Sequence, residues 1–138
     1  MADLPTKIQL TVVARERKVI DVQVDEVTLP ATDGEIGILP GHTPLLTTLK
    51  IGLMRYRTGS TVHRIVLRWG FAEVLPDRVI VLAETARLPE EIDASAAEAD
   101  RIAAEREMLD LSSNDPQFAL VEARLEESIA MISVGRDH

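Results

Sequence analysis

The amino-acid pattern changes once, near Leu88-Pro89, and this change constrains the fold more than any other feature. Before it, apolar and polar residues alternate in short segments separated by turn residues, which is typical of half-buried β-strands. After it, no glycine occurs until Gly135, and alanine and glutamate dominate, two residues that favour helix. The sequence therefore predicts a β domain at residues 1–88 and a helical domain at residues 89–138.

Short strands joined by tight turns are predicted throughout the β domain. Apolar and polar residues alternate from Lys7 to Val12 and from Ile20 to Val24. Residues 62–68 and 71–75 are predicted as two further strands, and Val79 to Leu82, which is wholly apolar, as a central strand. This spacing predicts a two-layer antiparallel β-sandwich, or flattened barrel. Because only 3% of the residues are aromatic, its core is predicted to be aliphatic.

Two helices are predicted in the second domain. The first runs from Asp93 to Leu111, with Ala99, Ile102 and Leu109 roughly aligned on one face and charged residues elsewhere. The inner face of this helix is predicted to be mostly alanine, which permits a neighbouring helix to approach closely.

A break at residues 112–116 separates the second helix from the first. Asp115 can accept hydrogen bonds from its first backbone amides, and Pro116 suits the first turn, where no donor is needed. Apolar residues recur along this helix at three- and four-residue steps: Phe118, Val121, Leu125, Ile129 and Ile132. Two helices with a short joint form an antiparallel hairpin. Because this hairpin has only a narrow apolar seam, it is predicted to need support from the sandwich or from another protein.

The stretch from Leu29 to Gly52 carries two turn signals of different kinds. Asp33-Gly34 favours a tight turn because glycine adopts positive φ without a Cβ clash. Pro40-Gly41 favours another because proline fixes φ at one central position and glycine supplies positive φ at the next. Gly37 interrupts the short apolar run between them, which is typical of a bulge or of close approach by another backbone. The stretch is therefore predicted to form three strands joined by two rigid turns.

Composition argues against several classes of function. A net charge of −8 disfavours nucleic acid or an anionic membrane surface as partner. The absence of cysteine leaves neither a disulfide framework nor a thiolate metal site. No apolar run approaches the roughly 18 residues of a membrane span, and Met1 to Lys7 has no apolar signal segment. A soluble protein in a reducing compartment is predicted.

Asp33, Glu35 and His42 are close enough in sequence to suggest an acid–base set. Ordinary turn chemistry is the better interpretation, since Asp33 precedes a glycine, Glu35 is predicted to face solvent and His42 follows the Pro-Gly corner. One histidine and scattered carboxylates are too few for a metal site, and no glycine-rich loop with a Lys-Ser/Thr ending is present to hold phosphate. The sequence predicts no catalytic residue, metal or cofactor.

Two segments resemble a known family. Residues 34–46, GEIGILPGHTPLL, are similar to the signature of the epsilon subunit of F-type ATP synthases. A second segment, from Gly70 to Val74 and on through Val81 to Ala86, is similar to the family's other well-marked region. The resemblance extends to the layout, because the family has an N-terminal β-sandwich followed by a C-terminal helical hairpin.

The resemblance implies a non-catalytic rotor subunit of the central stalk, whose sandwich binds the gamma subunit and the c-ring. It implies contact residues at Glu35, Ile38, Pro40, Gly41 and His42. The helices would be mobile, and when extended into the catalytic alpha/beta head they would restrain ATP hydrolysis. The expected location is the cytoplasmic side of the bacterial inner membrane or the stromal face of the thylakoid, with membrane association only through the complex.

Some bacterial members of that family bind ATP through a motif Ile/Leu-Asp-x-x-Arg-Ala on the first helix. Ile92 and Asp93 match its first two positions, but Ala96 stands where the motif has arginine. Arginines that assist from the second helix correspond to Glu127 and Met131. Because arginine grips phosphate by forked, charge-assisted hydrogen bonds, only a remnant of a nucleotide site is expected.

Three hypotheses therefore remain open: a coupling subunit of the rotor, a regulatory inhibitor or nucleotide sensor that acts through its helices, and an unrelated β-sandwich binding module with a helical tail. In the family, basic residues of the second helix meet an acidic segment of the catalytic beta subunit. Here that helix is rich in glutamate, which favours repulsion, and Arg101 and Arg106 of the first helix are the remaining candidates.

Overall fold

The computed structural model describes residues 4–136. The chain forms two compact units, and the boundary between them along the sequence lies between Ala86 and Arg87. The predicted domain boundary, after Leu88, lies two residues further along the chain. The first unit is built from strands and the second from helices, so each is described separately.

Eight strands form one continuous hydrogen-bonded sheet. Their bounds are β1 Ile8–Ala14, β2 Arg17–Val24, β3 Glu26–Ala31, β4 Gly34–Ile38, β5 Leu45–Leu49, β6 Gly52–Thr58, β7 Thr61–Leu75 and β8 Arg78–Arg87. The order across the sheet is β2-β1-β8-β7-β5-β3-β4, and β6 pairs with both β3 and β7. The predicted β-sandwich followed by two helices is confirmed.

One strand pair departs from the predicted antiparallel arrangement. β1 and β8 run parallel, in a register from Gln9↔Arg78 to Val13↔Leu82. A parallel pair needs a long connection between its strands, and here the six intervening strands supply it. The other pairs whose registers are described, such as β1 with β2 and β6 with β7, are antiparallel.

The core of the sandwich is aliphatic, as predicted. Its largest fully buried side chains come from six of the eight strands: Ile8, Leu10, Val12, Val24, Val27, Leu29, Ile38, Met54, Ile65, Val66, Leu67 and Val74. Burying an aliphatic side chain of this size contributes about 1.5–3 kcal/mol relative to leaving it exposed. The core is therefore sufficient to hold the turns between strands in fixed positions.

The prediction that residues 62–68 and 71–75 form separate strands was wrong, because both lie in the 15-residue strand β7. The strand bends at Trp69 and Gly70, whose φ angles are 45° and 154°. Its first half pairs with β6 and its second half with β5. Gly70 therefore turns the strand from one partner to the next without ending it, which is the use of glycine at a bend inside a sheet.

Helices α1 (Ala94–Asp110) and α2 (Pro116–Arg136) pack on each other in the second unit, after a single 3-10 turn at Pro89–Glu91. Asp93 caps α1, since its Oδ1 accepts hydrogen bonds from the backbone amides of Ser95 at 3.0 Å and Ala96 at 3.1 Å. The predicted cap of α2 is confirmed. Asp115 Oδ1 accepts from the amide of Gln117 at 2.8 Å, and Pro116 is the first helical residue.

The inner face of α1 is alanine, as predicted, but the apolar residues that align in the sequence do not lie on it. The buried residues of α1 are Ala97 and Ala104, whereas Ile102 and Leu109 are exposed. An added Cβ at Gly135, near the end of α2, would lie 2.9 Å from Cβ of Ala94, so opposite ends of the two helices meet closely. Alanine occurs on more than one face of α1, and sequence alone does not show which alanine face allows this approach.

Candidate partner-binding surface

The Pro40-Gly41 corner is a tight turn tied to the rest of the sandwich. The amide of His42 donates to the carbonyl of Leu39 at 3.2 Å, and Gly41 has a φ of 88°. Proline at the first central position and a positive-φ glycine at the second make a type II turn. The amide of Gly41 also donates to the carbonyl of Pro76 at 2.7 Å, which fixes the turn to the β7–β8 connection.

The five residues that the resemblance marked as contacts do not lie at the same depth. Glu35 and Gly41 are exposed, and Pro40 and His42 are half-buried. Ile38 is completely buried, with an exposure of 0%. Alternation along β4 accounts for this, because Ile38 has the parity opposite to that of Glu35. Ile38 therefore holds the turn from inside, while the other four lie at the surface.

Exposed apolar side chains flank the turn. Leu39 precedes it and is 55% exposed, and Leu46, at the start of β5, is 71% exposed. His42 lies between them in the chain, and its Nδ1 is 2.6 Å from the carbonyl oxygen of Thr43. A rigid corner that combines exposed leucines with polar groups has the mixed character of a protein–protein contact surface.

Glu35 is joined to an arginine that the sequence interpretation did not single out. Its Oε1 accepts a hydrogen bond from Arg55 Nη2 at 2.6 Å, and the two side chains are 54% and 37% exposed. Glu35 lies opposite Pro30, and Arg55 lies opposite Thr28, so the pair reaches across the outer face of β3. The alternation of β6 shows that Arg55 points outward, but only the strand pairing brings it to Glu35.

The segment that contains Arg55 is unusually basic for an acidic chain. Residues 52–68 contain four arginines and no aspartate or glutamate, although the chain has a net charge of −8. Arg55 lies directly opposite Arg64 on β7. A shallow cavity of about 230 Å³ opens beside Arg55 and is lined by Glu26, Thr28, Arg55, Tyr56, Arg57 and Val62. The cavity is partly open to solvent, which favours a surface contact over an enclosed small-molecule site.

The possible acid–base set is not assembled. Glu35 pairs with Arg55, His42 contacts a backbone carbonyl, and Asp33 lies exposed in the β3–β4 turn. Across residues 4–136 no three His, Asp or Glu side chains are grouped so that they could hold a metal ion. No helix in the same range has both the length and the apolar character to span a bilayer.

Residues 7–89 match the family described as "ATP synthase, Delta/Epsilon chain, beta-sandwich domain". This chain belongs to that family. It is 40% identical to ATP synthase epsilon chain 2 of Syntrophotalea carbinolica over 128 residues, which cover 93% of each chain. It is 41% identical to the ATP synthase epsilon chain of Citrifermentans bemidjiense over 128 residues, again 93% of each. The resemblance inferred from residues 34–46 is confirmed.

A solved structure supports the fold of the epsilon chain along nearly its whole length. A chain in the cryo-EM structure of the Euglena gracilis mitochondrial ATP synthase, OSCP/F1/c-ring in rotational state 1, matches with a TM-score of 0.82 at 24% identity. The match covers 96% of this chain and 83% of that one. Membership of the epsilon chains makes this protein a non-catalytic accessory subunit of ATP synthase and rules out the unrelated binding module.

The nucleotide remnant of this epsilon chain has a local structural role. Asp93 uses one carboxylate oxygen to cap α1, and the amide of Ile92 donates to the carbonyl of Pro89 at 3.1 Å. Ala96 lies exposed in the first turn of α1 and offers no hydrogen-bond donor in its side chain. Asp93, which matches the family's motif, therefore caps the start of α1. Ala96, at the position where the motif has arginine, supplies no guanidinium.

We predict that the isolated protein does not bind ATP with micromolar affinity, because Ala96 removes the forked phosphate contact. Titration calorimetry with ATP and Mg²⁺ checks this, and a clear micromolar binding isotherm would contradict it. Ala96→Arg alone is expected to leave the affinity weak, since Glu127 and Met131 remain where the family's assisting arginines stand.

Arg101 and Arg124 are engaged within the hairpin, whereas Arg106, the other candidate on α1, is exposed. Arg101 is paired with Glu98 and with Glu105, whose Oε1 lies 2.7 Å from Arg101 Nη1. Arg124 on α2 pairs with Glu107 on α1, at 3.1 Å. An acidic partner would have to compete with these carboxylates, which reduces the electrostatic gain from docking.

Proposed function

We propose that this epsilon chain is a rotor subunit of the central stalk that joins the gamma subunit to the c-ring during proton-driven ATP synthesis. The corner formed by Pro40, Gly41 and His42, together with Glu35, would be its contact with the polar loops of the c-ring. The observation that carries this proposal is the rigid corner, with an exposed carboxylate and exposed leucines beside it. The sandwich would provide the coupling, and Ile38 would support the corner from the core.

The physical reason is preorganisation. A corner fixed by proline, by a positive-φ glycine and by the hydrogen bond from Gly41 to Pro76 loses little conformational entropy when it docks. The carboxylate of Glu35 can accept hydrogen bonds from basic groups of a partner loop. Such a pair is worth only about 0–1 kcal/mol while exposed, so the flanking leucines would contribute the larger share of the contact.

A second function, restraint of ATP hydrolysis, would belong to the helices. It is favoured by the separate unit that they form after Arg87, and by Ile102 and Leu109, which leave an apolar stripe exposed on α1. Because Arg101 and Arg124 are already paired with glutamates, this stripe and the exposed Arg106 are the features that the hairpin would offer to the alpha/beta head. The inhibition would then depend more on apolar contact than on charge.

The proposed location follows from the proposed partners. The protein would lie at the cytoplasmic face of the bacterial inner membrane and reach the membrane only through the complex. Its net charge of −8 is consistent with this arrangement, since an acidic surface is repelled by anionic lipid.

Truncation separates the two functions. ATP synthase that lacks this subunit is reconstituted with either the full chain or a fragment that ends at Leu88, and both ATP-driven proton pumping and ATP hydrolysis are measured. The fragment is expected to fold with β-type circular dichroism and to restore pumping, while hydrolysis stays equal or rises. A folded fragment that assembles but does not restore pumping would show that coupling requires the helices.

A further inference from the structure

Arg55 and Glu35 form an ion pair that spans strand β3 and acts as a brace between β4 and β6. The strand registers bring the two side chains together. Glu35 on β4 lies opposite Pro30 of β3, and Arg55 on β6 lies opposite Thr28 of the same strand. Both side chains share the outer face of the sheet and meet above β3, where Nη2 and Oε1 are 2.6 Å apart. The contact therefore needs one side chain from β4 and one from β6.

Only one oxygen of the Glu35 carboxylate is used in this pair. Oε1 accepts from Arg55, and within residues 4–136 no hydrogen bond to Oε2 is present. With a side chain that is 54% exposed, Glu35 can accept a hydrogen bond at Oε2 while Arg55 still holds Oε1. The carboxylate is thus oriented on one side and available on the other.

A second arginine favours this orientation. Arg64 lies directly opposite Arg55 across the β6–β7 pair, on the same face. Like charges at directly opposed positions repel, so the guanidinium of Arg55 is favoured toward β4 and Glu35. The next outward arginine on β6, Arg57, is engaged elsewhere, with Glu26 at 3.5 Å and Asp25 at 3.8 Å. Within β6, the arginine that contacts Glu35 is Arg55.

We propose that Arg55 is a positioning residue for docking: it fixes the carboxylate of Glu35 so that the second oxygen is presented to a hydrogen-bond donor on the partner's polar loop. This inference rests on the proposed contact of Glu35 with the c-ring. The partner group is a basic or amide donor, since a carboxylate oxygen only accepts. Holding a flexible glutamate before docking reduces the entropy lost on binding, and loss of the brace is expected to weaken docking about threefold to tenfold.

A double-mutant cycle tests this role, with affinity for ATP synthase lacking the subunit and the melting temperature of the free subunit as the two readouts. Arg55→Gln is expected to weaken binding about threefold to tenfold in the parent but to have no further effect when Glu35→Gln is already present. Arg15→Gln, in the exposed turn between β1 and β2, is the control for loss of one arginine and is expected to leave the affinity unchanged. The exchange of charges, Glu35→Arg with Arg55→Glu, is expected to restore the melting temperature but not the affinity.

The possible contrary results are distinguishable. Equal losses from Arg55→Gln in the parent and in the Glu35→Gln background would show that Arg55 acts independently of Glu35, and this overturns the positioning role alone. Affinity restored by the charge exchange would show that the pair is only an internal brace, which also overturns it. Parent-like affinity of Glu35→Gln would overturn the contact of Glu35 with the partner, and the role of Arg55 with it.

Discussion

Gly70→Ala is expected to destabilise the sandwich by about 3–5 kcal/mol, combining overpacking with backbone strain. An added Cβ would lie 2.0 Å from the carbonyl oxygen of Leu82 and 2.9 Å from Cα of Ala83. Both atoms belong to the backbone of β8, an interior strand of the sheet, so neither can rotate away. The φ of 154° at Gly70 adds strain for any side chain.

Urea unfolding of the full chain, followed by far-ultraviolet circular dichroism, measures this loss. Gly37→Ala is the matched control. A Cβ at Gly37 meets no atom within 4 Å, and Gly37 lies on β4 at the edge of the sheet, so its stability is expected to stay within about 0.5 kcal/mol of the parent. If Gly70→Ala lost less than about 1 kcal/mol, the bend of β7 would not depend on glycine.

Glu35→Lys is expected to produce the largest functional loss of the single substitutions considered. The substitution removes a carboxylate acceptor, places an ammonium next to Arg55, and reverses the charge that the partner loop would meet. Like-charge contacts across an interface cost several kcal/mol, so docking is expected to weaken by about tenfold or more. Folding should be little affected, because an exposed ion pair contributes only about 0–1 kcal/mol.

Asp33→Lys is the control for this charge reversal. It makes the same change two residues away on the same hairpin, at an exposed turn position. If both substitutions weakened docking equally, the effect would come from net charge, and the specific role of Glu35 would be wrong. We expect Asp33→Lys to dock like the parent, apart from a small electrostatic effect that is screened by salt.

The turns and caps were predicted correctly because their chemistry is local. The Pro40-Gly41 corner, the cap by Asp115 and the placement of Pro116 each depend on interactions within about four residues. The aliphatic core followed from composition and alternation. The burial of Ile38 was also readable from the sequence, since alternation in β4 places it opposite in face to Glu35.

The missed features depend on pairing between distant segments. The parallel pair of β1 and β8, and the contact between Glu35 and Arg55, arise from registers that no local pattern specifies. At Gly70 the sequence indicated an interruption, whereas the structure continues the strand through a bend against β8. In α1 the apolar residues are few, so the choice of inner face is made by the close approach of α2 near Ala94.

If the sandwich couples rotation through the surface around Glu35, a charge reversal at Glu35 must impair ATP-driven proton pumping. Complexes that contain the parent chain, Glu35→Lys or Asp33→Lys are assembled in vesicles, matched for subunit content and for ATP hydrolysis, and compared for acidification. We expect the Glu35→Lys complex to hydrolyse ATP but to acidify the vesicles much less than the parent, and the Asp33→Lys complex to acidify them normally. Acidification by the Glu35→Lys complex equal to that of the parent would contradict it.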